Sequence, residues 1–300
     1  MSRLHSDIRS AVHSAILRYR WLPASAVVAS GLAFTAFHIV HARLLWTILA
    51  GTSWLFFSYA WGYSDHALKG DLYLPLNHLK RRQYAEVWDA LAASRTDASR
   101  AAAGETDEEE LRRSARRTID YLVELASISI GDDVLEIGCG VGRIGRGLAA
   151  HCNTWTGTDI SANMLGCASD HMQGVSNARF VLLRADGLGK LAESSFDVVY
   201  ATNMLGHLDE VDRWRYVEQT FRLLRPGGRL LLDNIDLESD GGWSMFANDA
   251  RRSQGLELPP YMPRFSTAAE LSAYARRAGF ENIQSHHRSP LVILTAAKPL

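Results

Sequence analysis

Cysteine is scarce in this sequence. Only Cys139, Cys152 and Cys167 occur in 300 residues, with no Cys-x-x-Cys pair. A disulfide framework and a structural zinc site are therefore excluded, and no histidine cluster at a ligand spacing offers another metal centre. An excess of one charge is missing too: 32 basic and 33 acidic side chains leave a formal net charge of −1, so no bulk field draws the chain onto nucleic acid. Arg251 and Arg252 form an isolated pair rather than part of a basic, aromatic-rich surface, and no nucleic-acid partner is expected. No internal repeat is visible. What is present is ample apolar material, 47% of residues, which excludes disorder, collagen and coiled coil as the main architecture.

That apolar material is unevenly spread. Mean hydropathy is −0.10, yet between residues 22 and 61 the only charged side chain is Arg43. Residues 22–40 and 44–61 each approach the roughly 20 residues that a helix needs to cross a hydrocarbon core. Joined by His41, Ala42 and Arg43, they predict a transmembrane helical hairpin. Trp21, Trp61 and Tyr63 would then sit at one interface and Trp46 near the other. Basic residues before the first run (Arg3, Arg9, Arg18, Arg20) and after the second (Lys69, Lys80, Arg81, Arg82) put both ends on the cytoplasmic side. The expected location is an inner or plasma membrane, with the remaining chain facing the cytoplasm. The alternatives are a signal peptide followed by a buried helix, or a buried helical pair in a soluble fold. The leader before the first run and the second run after it argue against cleavage.

Three segments are expected: an anchoring hairpin over 1–64, a connector with accessory helices over 65–110, and an α/β domain over 111–300. Tyr84, Val87, Trp88 and Leu91 lie at helical spacing. The small and polar residues from 92 to 106 read as a solvated loop. Thr106 and Glu109 read as a capping box opening a helix with Leu111, Ala115, Ile119, Leu122 and Leu125 on one face. Beyond residue 131, β-branched runs at 133–137, 154–159, 178–186, 196–203 and 228–235 read as strands buried on both faces. Helices beginning near Gly142, Ala162 and Leu208 separate several of them, and Trp214 and Phe221 are core candidates on the third. This alternation predicts a doubly wound, mostly parallel sheet. The last two runs flank Ser289 and Pro290 so tightly that they must pair antiparallel.

The first of these strands runs into a glycine-rich turn, Gly138, Gly140, Gly142 and Gly145, and then into a helix. Open α/β sheets bind ligands at the carboxyl ends of their strands, where such a turn lets the backbone approach closely. The spacing of Gly140, Gly142 and Gly145 would also satisfy a dinucleotide fingerprint, which alone is weak evidence. Glu136, on the strand just before the glycines, argues against that ligand. A carboxylate there repels a pyrophosphate and suits a cationic ligand without phosphate.

These residues resemble the class I S-adenosylmethionine-dependent methyltransferases, whose first motif is an acid, one residue, then Gly-x-Gly-x-Gly. Glu136, Gly138, Gly140 and Gly142 match it, and Asp159, Asp186, the run FDVVYATN and the run LLRPGGRLLL follow in the family's order over about residues 111–298. The resemblance implies a seven-stranded, Rossmann-like methyltransferase fold and S-adenosylmethionine as cofactor. By the same likeness, Asp159 beside Ile160 would hold the ribose hydroxyls, and Asp186 with Gly187 the adenine amino group. The glycine loop, including Cys139 as a small space-filling residue, would lie against the methionine portion, with Asn203 near its ammonium. His207 would be either a general base or a residue that shapes the loop. Trp243 and Tyr261, in the segment 236–265, are candidates to cover a substrate, as is plain packing of that segment. The chain lacks the Asn/Asp-Pro-Pro-Tyr run of base N-methylating relatives. Base N-methylation is therefore not expected; the methyl group is expected to go to an oxygen, nitrogen or carbon of a small-molecule or lipid-like acceptor, the hairpin through which residues 22–61 contact the membrane being what points to a lipid. A membrane-bound S-adenosylmethionine-binding protein without transferase activity is the rival reading.

Overall fold

In a computed structural model, residues 83–184, 187–252 and 259–300 are described. All belong to one compact unit, Tyr73–Leu300. The hairpin expected at residues 22–61 lies outside them, as does Asp186. Among the described residues, no helix is long and apolar enough to cross a membrane.

The described residues form a seven-stranded sheet. Its strands are β1 (Asp133–Ile137), β2 (Thr154–Asp159), β3 (Ala178–Leu182), β4 (Phe196–Ala201), β5 (Leu224–Ile235), β6 (Glu281–Arg288) and β7 (Leu291–Ala297), in the order β3-β2-β1-β4-β5-β7-β6. The first five run parallel, β7 pairs antiparallel with β5, and β6 pairs antiparallel with β7, the latter as the short final connection requires. The strand order reverses between β1 and β4, which opens a crevice at their carboxyl ends. β1, β2 and β4 are buried almost throughout because they lie centrally between helical layers. β3 departs from expectation. It ends at Leu182, and no residue in it is fully buried, since it is an edge strand with one neighbour.

The helices are α1 (Tyr84–Leu91), α2 (Arg95–Ala103), α3 (Glu108–Leu125), α4 (Gly145–Leu148), α5 (Ala162–His171), α6 (Glu210–Leu223), α7 (Asp240–Arg252) and α8 (Ala268–Ala278). The expected solvated loop over 92–106 is therefore largely helix. Ser94 caps α2 by accepting from Asp97 N at 3.2 Å, and Gly104 ends it at φ +69°. Periodicity misses this helix because its contact face is alanine: Ala98 is fully buried, with Ala101 and Ala102 packed beside Val141 and Met164. The cap of α3 is Asp107 rather than Thr106, its Oδ1 accepting from Glu109 N and Glu110 N at 3.1 and 2.9 Å. On α6 the face turned to the core carries Arg213, Val217, Thr220 and Leu223, while Trp214 and Phe221 are only half-buried at its side. Of the helix expected from Gly142, α-geometry covers only the four residues of α4.

Candidate active site

The glycine turn caps β1 at the crevice. Gly138 N and Cys139 N both donate to Thr158 O at 2.8 Å, which folds the turn back over the end of β2. Gly138 sits at φ +74°, and a Cβ there would lie 2.5 Å from Met204 Cγ, so only glycine fits. Gly145 serves packing instead, since its Cβ would fall 2.2 Å from the Trp155 ring. Asp159 clamps the turn: Oδ2 accepts from Gly140 N and Oδ1 from Ser161 N, each at 2.9 Å. Burial raises its pKa against those backbone bonds. Cys139 is a buried filler, its thiol pushed well above the ordinary range by desolvation.

Beneath the turn lie two acids. Glu136, 2% exposed, accepts from Tyr200 Oη at 2.6 Å, and Tyr200 Oη in turn accepts from Trp155 Nε1 at 3.1 Å. Burial pushes the Glu136 carboxyl up to about 8, against the pull of the Tyr200 hydrogen bond and the Arg143 charge. Asp233, on β5, accepts from Tyr121 Oη at 2.6 Å and from Asn203 N at 2.7 Å, holding Asn203 at φ +54°. Desolvation raises it to about 6. Arg143 is the basic side chain among these acids, and its Nη1 reaches Ser114 Oγ at 3.0 Å.

Above them is a cavity with about 890 Å³ of atom-free space, partly open to solvent. Of the residues singled out from sequence, it brings together Glu136, Gly138, Cys139, Gly140, Asp159, Ile160, Asn203 and His207. Gly142 stands behind the turn, bonding Cys139 O and facing Met172. Gly187 lines a neighbouring cavity that shares Ile160 and Leu183 with the first. Trp243 is 56% exposed on α7, against Phe246, and does not line the cavity. Tyr261 does not line it either; its ring packs beside Val87 and Leu91 of α1.

Sequence reasoning missed the wall opposite the sheet. Tyr84 and Trp88 of α1 and Ala102 of α2 line the cavity, with Met204 and Tyr216. α1 is tied down by Asp89, whose Oδ1 accepts from Ser161 Oγ at 2.6 Å and Asn163 N at 3.1 Å. Tyr84 Oη donates to Asp212 at 2.9 Å and accepts from Asp209 N at 3.2 Å; burial leads in raising its pKa to about 12. The His207 ring stands edge-on to Trp88, centroids 4.7 Å apart, and its Nδ1 lies 2.9 Å from Tyr261 O. A carbonyl only accepts, so Nδ1 carries the hydrogen and, in neutral imidazole, Nε2 carries the lone pair.

Residues 134–228 match the family model described as a methyltransferase domain. The ubiquinone biosynthesis O-methyltransferase of Pseudomonas fluorescens (strain Pf0-1) is 31% identical over 54% of this chain and 68% of its own length. The chain belongs to the S-adenosylmethionine-dependent methyltransferases. It is also similar to the 27-O-demethylrifamycin SV methyltransferase of Amycolatopsis mediterranei (strain S699), at 32% identity over 57% of this chain. Of that relative's length the alignment spans 62%. The fold is shared with the magnesium protoporphyrin IX methyltransferase of Synechocystis PCC 6803, solved with bound SAH: TM-score 0.54, 18% identity, 71% of this chain and 97% of the other.

The site fits the cofactor of this family. A cationic, phosphate-free ligand meets two buried acids that line the cavity, Glu136 and Asp159, with Asp233 holding Asn203 from behind, and the glycine turn keeps side chains out of its way. Glu136, the 138–140 turn, Asp159, Ile160 and Asn203 are the residues that would hold it.

Proposed function

We propose that this protein transfers the methyl group of S-adenosylmethionine to a hydroxyl oxygen of a small, apolar or lipid-like acceptor, and does so tethered to a membrane through residues 22–61. The observation that carries the oxygen acceptor is His207: a cavity-lining imidazole whose Nδ1 is occupied by the Tyr261 carbonyl and whose Nε2 keeps the lone pair. Trp88, Tyr84, Tyr216 and Met204 line the same cavity and suit a flat or apolar acceptor body. Relatives that carry the name O-methyltransferase support the same reading. When bound, the cofactor supplies a methyl carbon already activated by its sulfonium. The chain's own residues align the acceptor with that carbon and exclude water, which accounts for much of the acceleration. His207 Nε2 takes the hydroxyl proton as the acceptor oxygen gains the methyl group, and the Tyr261 carbonyl keeps hold of Nδ1–H throughout.

The tether is supported by the long run around Arg43 and by the basic residues flanking it. The same charge bias puts the catalytic domain on the cytoplasmic side of an inner or plasma membrane. Full-length protein given S-adenosylmethionine and a membrane lipid extract is expected to release S-adenosylhomocysteine. His207→Ala should slow that release by about 100-fold or more, the usual contribution of a general base, with cofactor affinity unchanged. Cofactor binding without turnover on any hydroxylated acceptor would favour the non-catalytic rival. Equal turnover in His207→Ala would remove the base.

A further inference from the structure

We propose that Arg213 is a positioning residue for His207, locking its imidazole in the tautomer that can accept a proton; the proposal rests on the O-methylation reading. Arg213 occupies the core-facing side of α6 beside Val217, Thr220 and Leu223, and is 1% exposed. An apolar side chain there would spare the desolvation of a guanidinium, so the charge calls for an explanation beyond stability. Its contacts supply one. Nε donates to Leu205 O at 2.9 Å, two residues before His207. Nη2 donates to Arg264 O at 3.2 Å, and Nη1 to Phe265 O, Ser266 Oγ and Glu270 Oε1 at 3.3, 3.0 and 2.9 Å.

These acceptors fall on the two segments that must meet for His207 to work. One is the 3₁₀ turn Leu205–His207, which carries the imidazole; the other runs from Tyr261, which offers the carbonyl, to Ser266. Arg264 N adds a direct bond to Gly206 O at 2.6 Å. A Cβ on Gly206 would lie 3.2 Å from Arg264 O and 2.9 Å from Asn234 Oδ1, so the segments approach more closely than a side chain allows. Asn234 Nδ2 supports the far segment through Arg264 O at 3.0 Å and Ser266 Oγ at 2.7 Å. Arg213 bonds both segments through a planar fork with donors on three nitrogens, a geometry that a lysine at this place does not reproduce. If the segments part, the Tyr261 carbonyl leaves Nδ1. Neutral histidine in water favours the hydrogen on Nε2, which leaves that nitrogen no lone pair to take the acceptor proton.

The test reads the tautomer by NMR of full-length protein carrying ¹⁵N,¹³C-histidine, without cofactor, with His207 assigned by the signal lost in His207→Gln. In the wild type, Nδ1 should be protonated and Nε2 not. In Arg213→Lys, which keeps the charge beside Glu270, a second set of His207 signals with Nε2 protonated should appear. Calorimetry should show unchanged S-adenosylmethionine affinity. Where Arg213→Lys does not fold, Glu270→Gln, which loosens one anchor of the guanidinium, should give the same second set at smaller amplitude. A single Nδ1–H tautomer in the folded variant would overturn the proposal. A wild type that binds cofactor and transfers no methyl group to oxygen would sink the O-methylation reading, and the tautomer measurement would be unaffected.

Discussion

Glu136 shows how far burial can shift one carboxyl and what a ligand gains from reversing it. Its pKa of about 8 lies above the ordinary 4.5 of a glutamate, so the folded, unliganded protein binds this proton more tightly than the unfolded chain. The stability it contributes is full below about pH 4.5 and is lost as pH rises toward 8. A cationic ligand prefers the ionised carboxylate, so binding should expel the proton. S-adenosylmethionine affinity is therefore expected to rise by up to about tenfold per pH unit between pH 6 and 7.5 and to level off above pH 8. Calorimetry in buffers of different ionisation enthalpy should detect the released proton, and Glu136→Gln should flatten the profile. A flat wild-type profile would mean that Glu136 and the cofactor do not meet. For Asp159 the effect has another origin, because both its oxygens already hold backbone, at Gly140 and Ser161. Asp159→Ala should weaken cofactor binding by about 1–3 kcal/mol, through a slackened turn as well as a lost acceptor. An unchanged affinity in that variant would place the ligand elsewhere.

At the scale of elements, the cavity needs the helices that precede the sheet. α1 closes it with Tyr84 and Trp88, and Asp89 fastens α1 to the start of α5 through Ser161 and Asn163. Asp89→Ala should remove a cap of α5, costing about 1 kcal/mol of stability, and should weaken ligand binding by freeing α1. Trp88→Ala removes a ring packed against both small clusters around α1, and should cost more stability than Asp89→Ala while lowering acceptor affinity more than cofactor affinity. Thermal unfolding and parallel titrations separate the two outcomes. The sheet was legible in the sequence because β-branched runs, a glycine turn and a final Ser-Pro connection each leave a local pattern. α2 was not, since Ala98, Ala101 and Ala102 bury a face too small to stand out from a solvated stretch. Arg213 and Asp233 were illegible for a different reason. Their roles depend on residues 50 or more positions from Arg213 (Arg264 and Glu270) and 112 from Asp233 (Tyr121), and no local spacing encodes such a meeting. His207 was visible as a candidate, yet what selects it is the Tyr261 carbonyl, 54 residues along the chain.

For the whole molecule, the question is whether the catalytic unit depends on the apolar run before it. The chain divides by its internal contacts into Met1–Leu72 and Tyr73–Leu300, and the second unit contains the sheet and all the described residues that line the cavity. A polypeptide beginning at Tyr73 is therefore expected to fold, stay monodisperse in detergent-free buffer and bind S-adenosylmethionine with the affinity of the full chain. The full chain should stay with membranes through alkaline carbonate washing, because apolar spans are held by burial rather than by charge. Cysteines placed singly at Ser2 and at the C-terminus should both be labelled only from the side where S-adenosylmethionine is made. Release by carbonate would assign residues 22–61 to a peripheral or buried helical pair, and labelling on opposite sides would assign them one span. Either result also bears on the chemistry. A tether raises the local concentration of bilayer-dissolved acceptors, so the truncated chain should lose turnover on lipid extract far more than on a water-soluble phenol. Equal loss on both would mean that the apolar run serves the fold of the site and not its access to the membrane.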